Sequence, residues 1–196
     1  MKKNLGLFLA IILVQIAPFI SAADTLHPLV YKIDIKKEIS NTTRLYLRGG
    51  LAEANALGAD AVLIHMNTYG GQVDAADSMR TAILYNSIPV YVFIDNNAAS
   101  AGALISIACK KIYMRKGANI GAATVVNQTG AAMPDKYQSY MRSMMRSTAE
   151  AHGQDTIIQK NDTLYKWKRD PLIAEAMVDE PVSYTHLRAH ETAANL

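Results

Sequence analysis

The sequence predicts an α/β fold in which βαβ units carry a mostly parallel sheet, and three observations lead there. Short apolar or alternating runs recur at 29–39, 61–67, 89–95 and 112–114. Stretches of helical period lie between and beyond them, at 43–57, 73–85, 100–109 and 134–152. The junctions carry turn formers such as Gly58, Gly70, Gly71, Gly117 and Gly121. Strands that alternate with helices at this spacing are the pattern of parallel sheets.

In the first run Tyr31, Ile33 and Ile35 alternate with polar residues, as a half-buried strand requires. Ser40, Asn41, Thr42 and Thr43 then offer helix N-caps, and Leu45, Leu47, Leu51, Ala54 and Leu57 continue as a helix to Gly58, interrupted by the unfavourable pair Gly49 and Gly50. The run 61–67 is nearly continuous in apolar residues, which predicts a strand buried in the sheet with His65 as a core residue. A turn at 68–71 leads to the second helix, and the strand 89–95 leads through 96–99 into a helix of small residues beginning at Ser100. The last helical stretch places Tyr137, Met141, Met144, Met145 and Thr148 on one stripe. That stripe reads as core-facing, with an adaptable apolar groove that also includes Met133 as the alternative.

At 196 residues, 50% hydrophobic and 19% charged, the chain suits one globular domain. Its net charge of +3 is spread without Lys/Arg runs, which argues against nucleic acid as a partner. The single cysteine, Cys109, excludes an intramolecular disulfide and reads as a small buried thiol. No nucleotide-binding glycine motif is present, and no cofactor or metal is expected. Lys2 and Lys3 precede an apolar stretch at 5–20 and then Ser21, Ala22 and Ala23, the pattern of a secretory signal peptide over 1–23, with an uncleaved anchor as the alternative. The stretch 182–196 breaks from what precedes it and reads as a non-native tail, which removes His186 and His190 from consideration.

Sites in open α/β folds are built at the carboxyl edge of the sheet, and two strand ends stand out there. The first carries Gly70 and Gly71, which permit φ > 0 and can present a bare N–H to a ligand, or form a plain turn. The second carries Ser100 at a helix start, where unpaired N–H groups and the macrodipole would favour an oxyanion. From position alone, Ser100 is equally readable as an ordinary N-cap. Histidine is poorly supplied to act as its base, since none lies at 117–128. Lys136, in the first turn after Pro134, could serve if its amine were neutral, or be an exposed surface lysine.

These features occur in a particular order. Tyr-Gly-Gly-Gln-Val-Asp-Ala-Ala (69–76) is followed by Ile-Asp-Asn-Asn-Ala-Ala-Ser-Ala-Gly-Ala-Leu-Ile (94–105), Ile-Gly-Ala-Ala (120–123) and Pro-Asp-Lys-Tyr (134–137). In this combination the chain resembles the protease domain of the NfeD-type membrane serine proteases, over about 31–180. The resemblance implies a spiral Clp-peptidase/crotonase-like fold and a Ser-Lys dyad, with Ser100 as nucleophile and Lys136 as general base. It further implies that the N–H groups of Gly71 and Ala101 form the oxyanion hole and that Gly70 contributes to substrate binding. The implied substrates are hydrophobic segments of stomatin-like membrane proteins, cleaved by an exported, membrane-associated homo-oligomer, a dimer in the simplest case, on the periplasmic face. Relatives often carry proline where this chain has Tyr69. They also continue well past Glu180, so 24–181 is expected to be a protease domain incomplete at its C-terminus. Competing readings are a signal-peptide-peptidase-like protease, a crotonase-type thioester enzyme, and a non-catalytic exported binding module of the same fold.

Overall fold

The computed structural model describes residues 27–159 and 162–179. The expected signal peptide at 1–23 and the expected tail at 182–196 lie outside them.

Strand β1 (Val30–Ile35) directs Ile33 and Ile35 into the core. Helix α1 (Asn41–Ala56) starts where the sequence predicts, with Ser40 as N-cap accepting from the Thr43 N–H at 3.4 Å. The second glycine of its pair has a packing role: a Cβ at Gly50 would come within 2.8 Å of Ile33 Cδ1, so the glycine lets α1 lie close on β1, whereas one at Gly49 would meet nothing. Leu47, Leu51 and Ala54 are buried, whereas Leu45 and Leu57 face solvent, against expectation. Strands β2 (Ala61–Thr68) and β3 (Val90–Ala99) follow, separated by α2 (Val73–Leu84). Helix α3 (Ala101–Ala108) has all eight residues buried and is followed by β4 (Lys111–Met114) and β5 (Asn119–Gly121).

The five strands form one parallel sheet in the order β1-β2-β3-β4, with β5 extending along the far end of β3. The expected α/β class with a parallel sheet is therefore what the chain forms. The sheet is covered unequally. In β2, Val62, Ile64 and Met66 are buried while Leu63 and His65 on the other face are only partly so. This corrects the reading of His65 as a core residue. Its Nδ1 lies 3.0 Å from Asp34 and its Nε2 3.6 Å from Asp95, which also pairs with Arg115 at 2.6 Å. Carboxylates on both neighbouring strands hold the ring on the open face.

Helix α4 (Asp135–Glu150) buries Met141, Met144, Met145 and Thr148, so the methionines are core residues. Tyr137 does not join them. It is 41% exposed, and Gln138 takes the inward position. Helix α5 (Pro171–Ala176) is held to α4 by ion pairs of Arg146 with Glu175 and of Arg142 with Asp179. Between the two helices β6 (Gln154–Gln159) and β7 (Asp162–Trp167) form an antiparallel ribbon. Among the described residues its strands pack chiefly on one another.

Where the ribbon rejoins the body, Arg169 is buried against the C-terminal end of α3. Its guanidinium donates to the carbonyl of Ile107 and to that of Ser106, which also accepts from the Cys109 N–H at 3.1 Å. His152 also hydrogen-bonds Ile107 O, at 2.8 Å. Burial of Arg169 lowers its pKa to about 10, and no carboxylate pairs with it among the described residues.

Candidate active site

The carboxyl ends of β1, β2 and β3 meet in a cavity of about 820 Å³ whose lining includes Ser100, Gly71, Tyr69, Glu38, Thr124 and Val126. Ser100 joins β3 to α3 with φ 55° and ψ −120°. Few residues with a Cβ adopt that conformation, because the side chain is crowded by the adjacent peptide groups. The backbone is pinned on both sides: the Ser100 N–H donates to Gly121 O at 2.8 Å, and Ser100 O accepts from the Ala103 N–H at 2.9 Å. Its side chain forms no cap hydrogen bond. Ser100 is therefore not the ordinary N-cap that its position allows. It stands at a sharp strand-to-helix turn that exposes a hydroxyl engaged by no neighbour among the described residues, a geometry shared with nucleophile elbows.

Gly70 and Gly71 lie directly against this turn, with φ of 105° and 151°. A Cβ on Gly70 would come within 2.6 Å of Ser100 Cβ and 3.1 Å of its Oγ, and one on Gly71 within 2.1 Å of Ile39 O. Both positions thus require glycine for space as well as conformation. Two bonds tie the loop to the chain after β1, from the Ile39 N–H to Gly70 O and from the Gln72 N–H to Ile39 O, each 2.8 Å. Thr68, buried beneath it, donates to Lys37 O at 2.8 Å and accepts from the Gly70 N–H at 3.1 Å. The Gly71 N–H is left without an acceptor among the described residues, beside the serine. The Ala101 N–H, in the first turn of α3, is likewise free of intrahelical partners.

Lys136 lies apart. It is exposed, with Nζ 5.0 Å from the centroid of the Tyr137 ring, and it lines a second cavity of about 700 Å³ with Val73, Val125, Tyr137, Tyr140 and Met144. Ser100 is not among the residues lining that cavity. The segment 122–133 runs between the two cavities, with Thr124 and Val126 lining the serine side and Val125 the lysine side. The structure therefore brings together Ser100, Gly70, Gly71 and Ala101, and it does not bring Lys136 into contact with them. Among the described residues no histidine lines the serine cavity. His152 is at the opposite end of α3, its pKa lowered to about 4 by burial and then by the charge of Arg169.

Two residues that shape this site are not singled out by the sequence patterns. Thr68 sets the glycine loop. Gln138 holds the 122–133 segment, its side chain accepting from the Val125 N–H at 2.9 Å and donating to Val125 O at 2.8 Å and Met133 O at 3.0 Å. The signal for Gln138 is available in retrospect: a polar residue three before Met141 and seven before Met145 shares their buried stripe.

The profile of the NfeD1b N-terminal domain matches residues 29–194. The membrane protein NfeD1b of Bacillus subtilis is 32% identical over 153 residues, 78% of this chain and 32% of that protein. The membrane-bound protease PH1510 of Pyrococcus horikoshii is 29% identical over 138 residues, 66% of this chain and 31% of that protein. The chain thus spans about a third of the length of each relative. Among solved structures, the 1510-N membrane-bound stomatin-specific protease, as a lysine-to-alanine mutant in complex with a substrate peptide, superposes with a TM-score of 0.71 at 24% identity, over 87% of this chain and 73% of that one. ClpP1 from Listeria monocytogenes superposes with a TM-score of 0.56 at 15% identity, over 76% of this chain and 79% of that one. The fold is thus Clp-like, as the sequence implies.

Proposed function

The chain belongs to the NfeD1b N-terminal domain family, and from that premise we propose that it is a serine endopeptidase with Ser100 as nucleophile and Lys136 as general base. The observation that carries this reading is the Ser100 turn: a strained residue with an uncapped hydroxyl, pressed against Gly70 and sharing its cavity with Gly71. In the reaction, Ser100 Oγ attacks the scissile carbonyl carbon while its proton passes to the Lys136 amine. The N–H groups of Gly71 and Ala101 stabilise the resulting oxyanion, each contributing about 3 kcal/mol to the transition state. Collapse of the intermediate expels the amine, which takes the proton back from Lys136, and water then hydrolyses the acyl-enzyme. On this reading Lys136 reaches the serine past the 122–133 segment, which lines both cavities. The related 1510-N protease, solved both as a lysine-to-alanine mutant with a substrate peptide and as a serine-to-alanine mutant, supports this assignment.

The proposed substrates are apolar segments of stomatin-like membrane proteins. The cavity beside Lys136, with Val73, Val125, Tyr140 and Met144 in its wall, suits them. We place the reaction outside the cytoplasm at a membrane, in keeping with the signal-like segment at 1–23 and with relatives named as membrane proteins. Among the described residues no helix is long and apolar enough to cross a membrane. The same reading includes a homo-oligomer, in the simplest case a dimer, and the ribbon is the surface most in need of cover. Ile158 is 80% and Tyr165 66% exposed there, and an isolated two-stranded ribbon is marginally stable in water.

The test is cleavage of an apolar stomatin-derived peptide by the chain, by Ser100→Ala and by Lys136→Ala, with circular dichroism to establish folding. Loss of turnover in both folded variants supports the dyad, and wild-type turnover in either removes that residue's role. A folded wild type that neither cleaves the peptide nor reacts with a fluorophosphonate favours the binding-module reading, in which Lys136 is the exposed surface residue that its contact with Tyr137 suggests.

A further inference from the structure

We propose that the Ser100 cavity selects substrates with a lysine or arginine close to the scissile bond, and that Glu38 and the Tyr69 ring are the residues that select them. This rests on Ser100 being the nucleophile. Glu38 sits between β1 and α1, one residue before Ile39, whose N–H bonds Gly70 O at 2.8 Å. Its own carbonyl accepts from Thr43 Oγ1 at 2.8 Å. The backbone that carries Glu38 is therefore fixed to the same loop that presents the Gly71 N–H.

Among the described residues that line the Ser100 cavity, Glu38 alone carries a charge. No ion pair engages it among the described residues. The nearest lysines in sequence do not line that cavity. Lys36 is held by Asp34 at 3.2 Å, and both Lys36 and Lys37 line an adjoining cavity of about 490 Å³. Tyr69 lines both cavities together with Glu38 and is 82% exposed, so its ring is available to a ligand.

An aromatic face beside an unengaged carboxylate is a receptor for a cation on an alkyl stem. The stem lies on the ring, the ring face attracts the charge, and the carboxylate accepts its N–H groups. The other polar groups lining the Ser100 cavity among the described residues, including Gln72, Thr124 and Asn127, are neutral. A peptide that is apolar where it meets Tyr140 and Val125 and basic where it meets Glu38 satisfies both cavities.

The experiment uses internally quenched peptides with one common apolar core, in which Arg, Lys, Leu or Glu is scanned through the three positions on each side of the cleaved bond. Wild type, Glu38→Gln, Glu38→Lys and Tyr69→Ala are compared by the ratio of kcat/KM for the basic and the leucine peptide at each position. At one position the wild type should favour the basic residue roughly tenfold, from a cation–π contact and a partly exposed ion pair acting together. Glu38→Gln should bring that ratio close to unity, Glu38→Lys should invert it in favour of Glu, and Tyr69→Ala should lower it about threefold. A wild type that cleaves these peptides with no basic preference, or a Glu38→Gln variant that keeps the full ratio, overturns the proposal while Ser100 remains the nucleophile. Failure of wild type to cleave any peptide or to be labelled at Ser100 by a fluorophosphonate overturns the nucleophile assignment, and this proposal with it.

Discussion

If Ser100 is held in a strained conformation, removing its Cβ should stabilise the fold relative to removing its hydroxyl alone. Ser100→Ala and Ser100→Gly both remove the proposed nucleophile, and the Oγ has no hydrogen bond to lose among the described residues, so the pair isolates the backbone. At φ 55° and ψ −120° a residue with a Cβ bears a strain of about 1–3 kcal/mol, which alanine retains and glycine relieves. Against this, glycine gains about 0.5–1 kcal/mol of unfolded-state entropy, and the lost contact of the Cβ with Gly70 takes at most ~0.8 kcal/mol more. The balance favours Ser100→Gly by about 1 kcal/mol, or ~2–4 °C in Tm for a domain of this size. Reversible urea unfolding followed by circular dichroism, with equal m-values for the two variants, measures the difference. A glycine variant less stable than the alanine variant by more than about 1 kcal/mol, beyond what the two opposing costs leave even at the lowest strain, would refute the strained turn and with it the main support for Ser100 as nucleophile.

Two further outcomes follow from groups near the site. Gln138→Leu keeps the side-chain volume but strands the Val125 N–H and the Met133 carbonyl, while Val125 O keeps the Met133 N–H, so it should destabilise the fold by about 2 kcal/mol and remove hydrogen-exchange protection at Val125; unchanged protection there would mean that Gln138 does not hold the 122–133 segment. His152, with a folded pKa lowered from 6.5 to about 4, is neutral in the native state, so the unfolded chain binds its proton first as pH falls. The resulting stability is complete above pH 6.5, declines between 6.5 and 4, and is absent below. It amounts to about 2 kcal/mol once solvent screening is allowed for. His152→Gln should flatten the pH dependence of unfolding in that window, and an unaltered slope would assign it to other groups.

The parts legible in the sequence are those governed by local rules. Ser40 caps α1 because a short hydroxyl side chain before a helical run satisfies a free N–H, and Gly70 and Gly71 mark a loop that no larger residue could occupy. The unread parts depend on tertiary context. Ser100 looks the same in sequence whether it caps α3 or is held at positive φ by Gly121 and Gly70. Gln138 and Tyr137 exchange their expected places because helical phase alone does not reveal that an amide can satisfy a buried loop. His65 lies in an apolar run yet stands on the open face, because the carboxylates that hold it come from β1 and β3. Strand β5 is too short to carry a period, and it exists because β3 runs on to Ala99 and offers it an edge.

The order of assembly during synthesis follows from the sheet. Each of β2, β3 and β4 pairs with the strand made just before it, so the sheet can grow as the chain emerges and needs no late strand to be threaded between earlier ones. Ser100 is made near the middle of this sequence, but the contacts that finish its setting come later. Gly121 receives its N–H, Gln138 fixes the facing segment, and Arg169 closes the far end of α3. A nascent chain that has just exposed Ser100 therefore holds a hydroxyl without its geometry, and that setting is complete only once some seventy more residues have been added, a separation that the Ser100 and Arg169 positions define.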